Sequence, residues 1–304
     1  MLKKITLIFI AILLMMNMYI GVIYAVEETN QEQFQRTGHI IFMFLLFIIA
    51  IILVGGKQGI RATISLIVNF FVLYFVLIKL VFAGINVFFV SLLTSFLIMS
   101  ISFFIIIGIN RKTISGIIGS FLGTLISGVL AVIFGNITKL SGVNEEIIQL
   151  SSNLKTIDFN YRNLIFLSVV ISSIGICMDI GIAIINGLDG IRSKSEDSSL
   201  KELFKNGINV GRNLIGTMSN TFILTYIGGI IKLILIYKAC NIQMTYIINK
   251  EIICELIVLA IAGSIGVICT IPFTALSYSV INRKKTIYKK TSENKIEGKR
   301  SLKI

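Results

Sequence analysis

Apolar residues come in long blocks along this chain, separated by short polar or glycine-containing breaks. Blocks lie near 39–55, 62–82, 87–108, 114–135, 163–186, 213–237 and 254–281, and one more fills most of 1–25 behind Lys3 and Lys4. About 20 apolar residues in helical form cross the hydrocarbon of a bilayer, and backbone groups in lipid must be satisfied within the segment itself. The pattern therefore predicts an all-α, polytopic membrane protein of about eight transmembrane helices. Composition points the same way. The chain is 55% hydrophobic and 14% charged, with a mean hydropathy of +0.92, which excludes an ordinary soluble domain.

The breaks divide the chain. Residues 1–25 read as a signal peptide cleaved after Ala25 or as a first transmembrane helix; Ile23 is a poor small residue at the −3 position, and both readings stay open. Residues 26–38 form a short acidic extracytoplasmic loop, 39–135 a four-span helical part and 136–162 a second extracytoplasmic loop. A three-span core at 163–281 and a basic cytoplasmic tail at 282–304 complete the order.

Charge sets the orientation. The net charge is +13, and the tail alone holds nine Lys/Arg against Glu293 and Glu297. With the N-terminus inside, 20 of the 28 Lys/Arg fall on the inner side. This is the positive-inside pattern of a bacterial cytoplasmic (inner) membrane protein with both termini cytoplasmic, unless 1–25 is removed. The basic excess is thereby assigned to topology and anionic lipid, not to nucleic acid. The partners this implies are the lipid bilayer and a membrane-protein partner or a second copy of the chain.

Candidate chemistry is confined to a few polar positions inside the blocks. Gly211–Gly229 has the length of a span but carries Thr217, Ser219, Asn220, Thr221 and Thr225, and it is entered through Arg212. At helical spacing Thr217, Asn220, Thr221, Leu224 and Gly228 share one side, which hydrocarbon cannot hydrogen-bond. That side is expected to face other helices or a wet cavity. Asp179 lies within an apolar span, on one side with Ala183, Asn186 and Gly190. An intramembrane carboxylate faces a bundle interior, a partner or water, as a proton or cation acceptor or as a hydrogen-bonding group. Asp189 lies at the membrane edge, where it is expected to be solvated. Glu251 and Glu255 open the last span, where a carboxylate suits the helix N-terminus and Lys232 or Lys250 offers a partner; Glu255 is the deeper one. Pro272 is expected to kink that span.

Two other stretches bear on packing. Gly116, Gly119, Gly123 and Ser127 line one side of 114–135 and let helix backbones approach closely, with a ligand passage as the alternative. In the loop 187–212, Ser199 and Glu202 fit a capping box, and Leu200, Leu203, Phe204 and Ile208 form an apolar side. This predicts a short amphipathic helix on the inner membrane surface, ended by Gly207 and Gly211 and serving as a connector, a gate or a docking element.

Hydrolytic and nucleotide motifs are absent from the sequence: no HExxH, no GxSxG, no GxxxxGK[ST]. His39 is the only histidine, and Cys177, Cys240, Cys254 and Cys269 lack metal-ligand spacing and read as small apolar packing residues. No catalytic residue, metal site or cofactor is expected, and the chain does not read as an enzyme.

The series CMDIGIAIINGLDGI, GRNLIGTMSNT, TYIGG, EIICE and AGSIG resembles the YibE/F-like family of bacterial membrane proteins, most closely over 175–281. The resemblance implies a multi-span fold and suggests transport. Two departures stand out. The family pattern has an acidic residue where Asn213 follows Gly-Arg, which removes an ion-pair partner for Arg212, and the segment before Asp179 is less rich in Gly and Ala. In layout, an Asp-bearing helix, an amphipathic loop and a Thr/Asn-rich helix also resemble SecF-like and other RND-type permease halves, which is analogy alone. The expected function is an inner-membrane permease or permease subunit, proton- or cation-coupled. Its route would be lined by Asp179, Asn186, Thr217, Asn220, Thr221 and Glu255, with Arg212 at its inner mouth. The alternative is a non-catalytic scaffold or accessory subunit that binds another membrane protein.

Overall fold

The structure, a computed structural model, describes residues 32–143, 161–193 and 199–300, with side chains over 38–143, 161–193 and 199–282. The expected signal or first span at 1–25, residues 26–31 of the loop 26–38 and the middle of the loop 136–162 lie outside the described residues, and the rest of 26–38 is not loop but the start of a helix at Glu32. The described chain is helical: α1 (Glu32–Val72), a π-helical stretch (Leu73–Ile78), α2 (Lys79–Phe82), α3 (Val87–Ile106), α4 (Arg111–Ile137), α5 (Tyr161–Arg192), α6 (Leu200–Ala239), α7 (Met244–Ile248) and α8 (Glu251–Arg300). It divides into two compact units, Met1–Phe70 and Phe71–Ile304.

Among the described residues six helices are long and apolar enough to cross a membrane: Gly38–Phe82, Val87–Ile106, Arg111–Ile137, Tyr161–Arg192, Leu200–Ala239 and Glu251–Asn282. That makes a multi-pass membrane protein with fewer spans than the eight expected. The difference beyond 1–25 is that 39–55 and 62–82 belong to one run of helix, Gly38–Phe82. This run is not straight. A straight helix would hold Phe44 and Phe70 roughly 39 Å apart at 1.5 Å per residue, yet their ring centroids are 6.3 Å apart. The chain turns back at Gly56, whose φ of 55° and ψ of −129° suit only glycine, and Gly59 is buried against the Ile51 carbonyl. The GGKQG break thus joins two antiparallel arms with hardly a residue lost to a loop.

In the second unit α4, α5 and α8 pack on one another, α3 lies against α4 and α5, and α6 lies against α8 and α5. The α4–α8 approach is the closest, because small residues face hydroxyls. A Cβ on Gly119 would run into Thr274, one on Gly123 into Thr270, and one on Gly266 into Ser127. Gly128 seats Phe166 of α5 in the same way. The glycine side of α4 is therefore filled by neighbouring helices, and the expectation of tight packing holds over that of a passage.

The loop expectation is corrected. Among the described residues of 187–212 no separate surface helix is present: α5 runs on to Arg192, and α6 is a single 40-residue helix from Leu200. Ser199 does cap it, accepting a hydrogen bond from the Glu202 N–H at 3.2 Å. Gly207 and Gly211 do not break the helix, since their missing side chains are what let α6 lie on Ala275, Leu188 and Ile271. Helix α8 likewise runs through Pro272 and carries the backbone of the basic tail as far as Arg300.

Candidate functional site

Asp179 sits on α5, and the neighbouring helix gives its depth. Gly187 of α5 faces Val210 of α6, and Tyr226 of α6 packs on the Val169 cluster of α5 and reaches Ser172. These two contacts bracket Asp179 and place it level with the Thr217–Asn220 turn of α6. Its carboxylate is exposed, and no described residue pairs with it. Asn186, two turns along the same side, is exposed as well.

On α6 the expected polar stripe exists and points outward. Thr217, Asn220, Thr221, Leu224, Thr225 and Gly228 are all exposed. The threonines do not need a partner helix. Thr217 donates to the Leu214 carbonyl at 3.1 Å, Thr221 to that of Thr217 at 2.8 Å and Thr225 to that of Thr221 at 2.8 Å. A threonine hydroxyl reaches the carbonyl one turn back and satisfies itself within its own helix, so it can face an apolar medium. Asn220 has no such bond, and the Ser219 hydroxyl is buried without a partner. Unsatisfied polarity on the exposed sides of α5 and α6 therefore includes Asp179, Asn186 and Asn220, whereas the Ser219 hydroxyl lies on the covered side of α6.

Arg212 is exposed on α6 and makes no ion pair with any described residue. Glu255 does not join the group. Helices α6 and α8 run antiparallel through Gly211 against Ile271, Phe222 against Gly263 and Ile230 against Ile253. Half-buried Glu255 is thus level with Gly228, about two and a half turns, roughly 13 Å, from the depth of Asp179. The structure brings Asp179, Thr217 and Asn220 to one depth on adjacent helices and leaves Glu255 near the opposite end of the span.

A second polar feature lies inside the bundle. Between α4, α5 and α8, Ser120, Thr124, Ser127, Cys177, Thr270 and Thr274 are all fully or almost fully buried. Ser120 donates to the Cys177 carbonyl at 2.9 Å, which ties α4 to α5. The Cys177 thiol lies between Thr124 and Thr270, and the hydroxyls of Thr124 and Thr274 have no hydrogen-bond partner. The spacing of Gly266, Thr270 and Thr274, one turn apart each, is the signal for this seam in the sequence. It becomes readable only once it is known to face Gly119, Gly123 and Ser127.

Charged groups tie the same three helices at both ends. At one end Lys112 of α4 and Asp189 of α5 form an ion pair of 2.7 Å, and the Tyr278 hydroxyl of α8 donates to Asp189 at 3.3 Å. Asp189 is indeed half-exposed, and it is bonded to two helices as well. At the other end Glu251 of α8 accepts from the Ser141 N–H at 2.5 Å, the Ser141 hydroxyl at 2.8 Å and the Gly142 N–H at 3.0 Å. Arg162 of α5 donates to the Leu140 carbonyl at 3.2 Å in the same turn. Glu251 therefore holds the turn after α4, where a cap or a lysine partner was expected. Among the described residues no three His, Cys, Asp or Glu side chains come together as a metal site would require.

A family model described as YibE/F-like protein matches residues 43–284. No curated protein and no solved structure matches the chain.

Proposed function

The chain belongs to the YibE/F-like family, and on that premise we propose that it is a permease subunit of the bacterial cytoplasmic membrane. Its polar face, on α5 and α6, is completed by another membrane-embedded surface. One observation carries this reading: Asp179 stands in mid-span with no partner among the described residues, level with the Thr217–Asn220 turn. A carboxylate in that position is expensive in lipid and is retained where it meets water, an ion or another protein. In this reading Asp179 accepts a proton or cation, and Asn220, Thr217 and Thr221 line the route beside it. Asn186 and Arg212 lie toward its inner mouth and Glu255 toward its outer end. With both arms of Gly38–Phe82 crossing, the described chain crosses the membrane seven times, and an uncleaved 1–25 adds an eighth crossing with both termini inside; the Lys112–Asp189 end is cytoplasmic.

Flux of protons or of a monovalent cation into proteoliposomes tests this, comparing the wild type with Asp179→Asn and Asp179→Ala. Loss of flux in both variants with folding intact supports the role of Asp179; unchanged flux in both removes it from any route. The second reading, a scaffold, draws on the same outward-facing Asn220. It predicts that the substitutions lower recovery of a membrane partner and leave flux untouched.

A further inference from the structure

We propose that the buried seam between α4, α5 and α8 is held shut by two separate latches, and that releasing either one admits water to the seam from that end only. The inference does not depend on the route at Asp179. It starts from a coincidence of place. The helices that Lys112, Asp189 and Tyr278 join at one end are the same three that Glu251, the Ser141–Gly142 turn and Arg162 join at the other.

Between the latches the seam is unlike an ordinary apolar core. It is built of glycine, serine and threonine, with the fully buried hydroxyls of Thr124 and Thr274 left unpaired. Thr274 Oγ1 points at Gly119 of α4, so this hydroxyl is aimed into the seam itself. A buried hydroxyl without a partner is costly when dry and gains a hydrogen bond when water reaches it. Opening this seam therefore exposes groups that water stabilises, whereas opening an all-leucine interface would expose none. Both latches are peripheral and polar. Lys112 and Asp189 are 25% and 49% exposed, and Glu251 is half-buried. Such ties are modest in strength and separable, since each uses residues that the other does not.

The protein carries its own reporter, Cys177, which is completely buried in the seam. In full-length protein with Cys240, Cys254 and Cys269 changed to Ala, a membrane-impermeant thiosulfonate reagent is applied to vesicles of either orientation. The rate of Cys177 labelling is then measured. Asp189→Ala and Lys112→Ala should each raise the rate about three- to tenfold from the Lys112 side and leave the Ser141 side at the wild-type value. Glu251→Ala and Ser141→Ala should do the reverse. Two variants per latch keep the test open if one fails to fold. Equal rises from both sides would mean general loosening and would overturn the proposal, as would rates unchanged from either side in folded variants.

Discussion

Gly119→Ala is the sharpest probe of how this bundle is built. Gly119 sits where α4 crosses α8, and a Cβ placed on it meets Thr274 Oγ1 and Cα and comes within 2.6 Å of the Thr274 backbone nitrogen. No rotamer change removes a backbone contact, so α8 must move away. Overpacking of this kind costs about 1–3 kcal/mol. Replacing glycine by alanine inside a helix returns about 1 kcal/mol through propensity. Because the clash is with backbone, the upper part of the overpacking range, about 2–3 kcal/mol, applies, and the net expectation is a loss of about 1–2 kcal/mol, or roughly 2–8 °C in melting temperature for a unit of this size. The matched control is Gly216→Ala on α6, where a new Cβ meets nothing within 4 Å and propensity acts alone. Thermal unfolding of both variants in one detergent, followed by circular dichroism, separates the two contributions. A Gly119→Ala protein as stable as the wild type, or moving with the control, would refute the close α4–α8 contact.

Other outcomes follow from the same geometry. Gly56→Ala places an L residue at a φ of 55° and ψ of −129°, so it should weaken the hairpin by about 1–3 kcal/mol; hydrogen exchange should rise on both arms around 51–60 and not in α4. Asn220→Leu should leave the melting temperature within about 2 °C of the wild type, because no described residue bonds to that amide. A large loss of stability would show that Asn220 is a packing residue of the chain itself. Ser199→Ala removes the cap of α6 and should cost about 1 kcal/mol locally. Faster exchange is expected for the amides of the first turn, with the rest of α6 unchanged.

Much of the fold is legible in the sequence, and the reasons are local. Whether a segment reaches across a bilayer depends on its own length and apolarity, so the blocks from 39 to 281 reappear as helices, although α6 begins 13 residues before its expected limit and α5 runs six past its own. Packing of the α4 glycines is legible too, since small residues one turn apart have few other uses. Glycine at a bend is ambiguous. Gly207 and Gly211 read as helix breakers, yet they lie inside α6 and are contact points; Gly56 stands in a similar break and does turn the chain. A glycine can be a hinge or a seat for another helix, and only the partner shows which it is.

The polar positions divide in the same way. The amino-acid sequence determines that Asp179, Asn220 and the threonines lie inside membrane spans, because that follows from what flanks them. It does not determine which side of each helix is covered. Threonine can satisfy its hydroxyl on its own backbone, so the stripe on α6 does not have to face inward. Serines and threonines between α4, α5 and α8 are enclosed because glycine opposite them leaves room. Pairing of that kind is a property of two helices at a fixed crossing, and tertiary structure alone decides it.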